Sequence, residues 1–123
     1  MSGADSANSA NGFDAAAFRA TEVADEHEAW DSTRQKYFVE NGTTDRVTGE
    51  KVLLTAMPIG KVIAEKLNRF GFVYAHQLIG QYMVRNMDDK VMDRWLRDEI
   101  GINRSDLRQV IINTMRKWCD RHL

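Results

Sequence analysis

A chain of 123 residues, 43% apolar and 28% charged, has room for one domain of common size plus a tail, and its core is modest. One proline and little strand-like alternation exclude a β-rich fold, and the longest apolar run, Val52 to Ile59, is far too short to span a bilayer. The net charge of −1 hides a division: residues 1–40 carry three basic and eight acidic side chains, net −5, and residues 41–123 carry fourteen and ten, net +4.

The opening MSGADSANSANG has neither a basic n-region nor an apolar h-region, so no secretory signal is expected, and its composition predicts disorder. Phe13, Ala17, Ala20, Ala24, His27 and Trp30 then recur at steps of three and four, which predicts one face of an acidic amphipathic helix. Residues 1–31 thus read as an acidic leader, and 32–123 as the domain. Ser32 to Glu40 predicts a short helix with Phe38 and Val39 inward, followed by a polar loop from Asn41 to Thr48.

A helix near Thr48 to Ala56, a tight hairpin at Met57-Pro58-Ile59-Gly60 and a helix from Gly60 to Phe70 come next, the last ended by Gly71 in a left-handed conformation. Backbone N–H groups at the start of the helix after such a hairpin point outward and can hold a phosphate. Basic density lies on the same unit: between Lys51 and Arg85, Lys51, Lys61, Lys66, Arg69 and Arg85 face Glu65 alone. Val73 to Asn86 predicts a helix with Ala75, Leu78, Ile79, Tyr82 and Met83 on one side. Asp88 can cap a helix carrying Val91, Met92, Trp95 and Leu96, which Gly101 ends. Asn103 with Asp106 reads as a capping box opening a last helix that buries Leu107, Val110, Ile111, Met115 and Trp118.

The order and spacing of Gly49-Glu50-Lys51, Ile59-Gly60, Lys66-Leu67, Gly71-Phe72, Ala75, Gly80-Gln81-Tyr82, Trp95-Leu96, Gly101, Asn103 and Trp118-Cys119-Asp120 resemble the barrier-to-autointegration factor (BAF) family over residues 32–123. The resemblance implies an all-α, compact five-helix SAM-like domain containing a helix-hairpin-helix motif, to which this chain adds the N-terminal amphipathic helix of a divergent member or paralogue. It further implies sequence-independent binding of double-stranded DNA by Arg34, Ile59, Gly60, Lys61, Val62, Asn103 and Arg104, and a homodimer that bridges duplexes. Gly80, Gln81 and Tyr82 map to a partner and dimer surface that receives LEM-domain proteins of the inner nuclear membrane. Ser32 and Thr33 match a segment phosphorylated in the family to release DNA. The implied localisation is nucleus, chromatin and nuclear envelope, with a cytoplasmic pool, and no direct membrane insertion.

Two departures stand out. The family hairpin reads Ala-Gly-Ile-Gly where this chain has Met57-Pro58-Ile59-Gly60, and proline has no N–H to donate. A helix glycine of the family is Ala64 here. Plainer readings stand beside the site assignments: Arg34 and Arg104 as solvated surface, Gly80 and Gln81 as points of close helix approach, Tyr82, Trp95 and Trp118 as core or dimer interface.

Catalytic signals are few. His27, His76 and His122 are widely spaced with no ligand partners at metal-site spacing, and no nucleotide-binding glycine loop or nucleophile elbow occurs, so no enzyme, cofactor or metal is expected. The single Cys119 cannot form an internal disulfide and reads as structural, which fits a reducing compartment. The alternative to a DNA bridge is a non-DNA-binding paralogue, an adaptor that pairs with itself or with an ordinary BAF. Pro58 and the acidic leader favour it, the latter because its carboxylates can fold back on the basic face.

Overall fold

Local capping rules set several of the helix ends. The computed structural model describes residues 22–123, in which six α-helices follow one another: α1 (Glu26–Ala29), α2 (Ser32–Asn41), α3 (Lys61–Asn68), α4 (Ala75–Val84), α5 (Asp89–Trp95) and α6 (Ser105–His122). The Asp31 carboxylate accepts from the Arg34 N–H at 3.0 Å and starts α2. Asp88 does the same for α5 through the N–H groups of Lys90 and Val91. Helix α5 runs on into a wider π turn, Leu96–Ile100, which Gly101 closes in the left-handed region at φ +87.

The core is one cluster drawn from every long helix: Phe38 of α2, Ile63 and Leu67 of α3, Leu78, Ile79 and Tyr82 of α4, Met92 of α5, and Leu107, Ile111 and Met115 of α6. Met57 and Ile59 of the hairpin are sealed into the same cluster, so the hairpin is pinned by its apolar side chains, and Pro58 and Gly60 are buried with them. Both α1 and α2 lie against α6, and the Gln35 amide donates to Thr114 Oγ1 at 2.8 Å to fix the second contact.

Four expectations are corrected. The helix from Thr48 to Ala56 is reduced to one 3₁₀ turn, Leu54–Ala56. Residues 51–53 are extended because the Val52 backbone is satisfied on both sides: its N–H donates to Thr43 and its carbonyl accepts from Ala75, each at 3.0 Å. The capping box at Asn103 does not form; α6 begins at Ser105, and the Asn103 and Arg104 N–H groups find a distant acceptor. Met83 faces solvent beside the buried Tyr82, and Trp118 and Val39 are half-buried.

The fourth correction concerns the leader. Residues 1–12 and Phe13, Ala17 and Ala20 lie outside the described residues, but Ala24, His27 and Trp30 are exposed, whereas Glu22, Asp25 and Ala29 are buried. The opposite face is inward. Burial of that face turns on the two carboxylates, which gain four backbone hydrogen bonds between them there and would have none on the solvent side.

Candidate nucleic-acid interface

Helix α3 follows Gly60, whose φ of −87 and ψ of −178 are extended, and no side chain of Gly60 can cap it. Helix α6 follows Arg104, whose side chain does not cap its own helix either. At α3 no side chain at the cap position meets the first N–H groups, while at α6 Asp106 accepts from the Leu107 N–H at 2.9 Å and the N–H groups of Asn103 and Arg104, just before the helix, are left over.

Both sets of N–H groups are met from the leader. The Asp25 carboxylate accepts from Val62 N–H at 3.1 Å and Ile63 N–H at 2.8 Å, straddling the start of α3. Glu22 accepts from Asn103 N–H at 2.9 Å and Arg104 N–H at 3.0 Å at the approach to α6, and from Lys66 Nζ at 2.6 Å. Lys66 also donates to the Gly101 carbonyl at 3.0 Å. Glu26 pairs with the Arg104 guanidinium, which Asp106 also engages at 2.6 Å. Glu22 is 0% exposed and Asp25 2% exposed, so each carboxylate relies on these donors in place of water. Burial pushes the Lys66 ammonium below its ordinary range, and the Glu22 carboxylate opposes that shift.

Gly60 lies directly beneath Asp25: a Cβ there would overlap the Asp25 carboxyl. Pro58 is buried at the centre of a turn closed by the Ile59 N–H on the Met57 carbonyl at 2.7 Å.

The residues singled out from the sequence divide accordingly. Gly60, Val62, Asn103 and Arg104 are brought together, through their shared contacts with one short acidic segment. Lys61 is exposed beside them, and Ile59 is core, so only its backbone remains for recognition. Arg34 is bonded to the Thr55 carbonyl at 3.2 Å, next to the hairpin's 3₁₀ turn. Ser32 and Thr33 are exposed in the first turn of α2.

The basic set is smaller than its sequence count. Lys51, Lys61 and Arg69 are exposed, but Lys66 is 6% exposed, and Arg85 is folded over the Trp95 ring at 4.5 Å and onto Gln81 at 2.6 Å. Of the partner-surface residues, Tyr82 takes the plainer of its readings and is core: it is 1% exposed and its hydroxyl donates to Asp89 at 2.7 Å. Gly80 does not serve a close helix approach within this chain, since among the described residues nothing lies within 4 Å of a Cβ placed there.

Sequence reasoning missed Glu22, Asp25 and Glu26 as individual contacts and Lys66 as a buried one. Their signal was present in the spacing of Glu22, Asp25 and Ala29, which also fall on one helix face. Among the described residues no group of three or more His, Cys, Asp or Glu side chains is placed to hold a metal ion, and no helix is long and apolar enough to cross a membrane. Cys119 is buried, and burial pushes its thiol up with Asp120 adding to the effect. Its alkylation by iodoacetamide at neutral pH should be at least about 100-fold slower in the native protein than in urea, and comparable rates would contradict the packing around it.

The family profile described as barrier to autointegration factor matches residues 31–122. The chain is 35% identical over 75 residues to the human barrier-to-autointegration factor, covering 61% of this chain and 83% of that protein. It is 32% identical over 75 residues to the Danio rerio protein of the same name, covering 82% of it, and 27% identical over the same length to barrier-to-autointegration factor 1 of Caenorhabditis elegans, covering 83%.

Proposed function

The chain belongs to the barrier-to-autointegration factor family, and on that premise we propose that it binds double-stranded DNA through the phosphate backbone, without reading bases. The observation that carries this reading is a pair of backbone N–H seats, Val62 and Ile63 at the start of α3 and Asn103 and Arg104 just before α6, each already holding an oxyanion. The carboxylates there stand in for phosphate oxygens, since the same donors and the same helix charge serve either group. Lys61, Arg34 and Arg104 would add side-chain charge, while Gly60, having no Cβ, lets an oxyanion come as close as the Asp25 carboxyl now does.

In this reading the protein is a non-enzymatic architectural component of chromatin, working as a homodimer in which each subunit holds one duplex. Gly80 and Gln81 lie on the α4 face assigned to a partner, including LEM-domain proteins, and the half-buried Gly80 leaves that face uncrowded. The nucleus, with chromatin and the nuclear envelope, is the corresponding location. Phosphate on Ser32 or Thr33, next to Arg34, would repel a duplex.

A second reading has its own observation. The seats are filled by the chain's own carboxylates and Pro58 withholds one N–H, which suits an adaptor that pairs with itself or another BAF-like protein without binding DNA. Fluorescence-anisotropy titration of short random-sequence duplexes with the full chain, across a salt series, separates the two. DNA binding predicts affinities within about threefold among sequences and a steep loss with salt. A folded chain with no affinity at the lowest salt would leave the adaptor.

A further inference from the structure

We propose that Glu22, Asp25 and Glu26 act as an intramolecular phosphate mimic that closes the clamp, so that a duplex binds only by displacing this segment. The inference rests on the DNA-binding reading and adds its regulation.

Three observations carry it. First, occupancy is exclusive: the Val62, Ile63, Asn103 and Arg104 N–H groups are the phosphate donors of that reading, and all four now end on Glu22 or Asp25 at 2.8–3.1 Å. A phosphate cannot take them without breaking those bonds. Second, the acceptors are not local caps. They reach their donors across 37, 38, 81 and 82 residues of sequence, while the residues at the two cap positions, Gly60 and Arg104, supply no side-chain cap of their own. Third, among the described residues the segment is held mainly by charge. Helix α1 has four residues, too few to persist unsupported, and Val23 and Trp30 at its flanks are exposed, leaving Ala29 as its buried apolar side chain.

A tethered competitor of this kind acts at an effective concentration in the millimolar range, which raises the apparent dissociation constant for DNA without altering the clamp itself. Because the hold is electrostatic, polyanionic DNA competes on the same terms, and its many phosphates give it the advantage once one seat has opened. Removal of the segment, or neutralisation of its charge, would therefore switch the protein to tighter binding.

The test is anisotropy titration of a short random-sequence duplex at low salt with the full chain and with the full-length Glu22→Gln/Asp25→Asn/Glu26→Gln variant, which keeps side-chain size and removes charge. The expected result is about tenfold or greater tightening in the variant, cancelled when Gly60→Glu is added. Equal and measurable affinities would overturn the mimic while leaving the DNA reading standing. No binding by either folded protein would instead overturn the DNA reading on which the mimic rests. Should the variant fail to fold, ¹⁵N heteronuclear NOE measurements on the native chain decide: at saturating duplex, residues 23–29 are expected to become mobile, and a segment that stays ordered against α3 in the DNA complex would overturn the proposal.

Discussion

Gly60→Glu should reduce duplex affinity by at least about 100-fold while leaving helical content unchanged. The backbone at Gly60 is extended, so a side chain there imposes no strain on the hairpin. Its Cβ, however, falls where the Asp25 carboxyl now lies, and the new carboxylate can fold onto the Val62 and Ile63 N–H groups in place of Asp25. The seat would then carry a competitor with no tether to release, next to a repelled phosphate. Circular dichroism controls for folding, and Gly60→Gln, equal in bulk but neutral, should lose far less. Full affinity in Gly60→Glu would move the DNA surface away from the hairpin.

Arg108→Met should cost the fold about 3 kcal/mol, read as a fall in urea midpoint with unchanged slope. Arg108 is buried; its Nε donates to Asp93 at 2.7 Å, and its Nη1 donates to the carbonyls of Ile102 and Asn103, both at 2.9 Å. Methionine fills a similar volume but leaves one carboxylate and two carbonyls without donors. The Asp93 side chain is partly exposed and recovers some hydration, which places the cost at the lower end of the range for broken buried pairs. Because the same guanidinium fixes the backbone that presents the Asn103 and Arg104 N–H groups, duplex affinity should fall as well. A loss under about 1 kcal/mol would mean that the approach to α6 is held by other contacts.

What could be read from the sequence follows the range of the forces involved. Short-range signals were legible: Asp88 as a cap, Gly71 and Gly101 as left-handed stops, and the three- and four-residue steps of α4 and α6. The all-α class and the family followed from these and from the spaced motifs. Where a long-range partner decides, local reading failed. Residues 51–53 stay extended because Thr43 and Ala75 complete the Val52 backbone from either side, and nothing within the segment announces that. Lys66 counts toward a basic surface in the sequence and is buried against Glu22, which lies forty-four residues away.

The leader shows the same limit more sharply. Its apolar steps through Ala24, His27 and Trp30 suggested one inward face, yet the face that is buried is acidic. Hydrophobic periodicity weighs side chains by transfer to oil, and it gives no weight to a carboxylate that meets two backbone N–H groups at a helix end. The family resemblance put Gly60, Val62, Asn103 and Arg104 into one set; it did not say that Glu22 and Asp25 meet that set in the folded chain.

The most direct test of the clamp is a ¹H–¹⁵N correlation titration of the full chain with a short random-sequence duplex at low salt. The account predicts the largest shifts at the amides of Val62, Ile63, Asn103 and Arg104, with Gly80 and Gln81 unmoved. Shifts confined to other surfaces, or none at all in a folded protein, would contradict it.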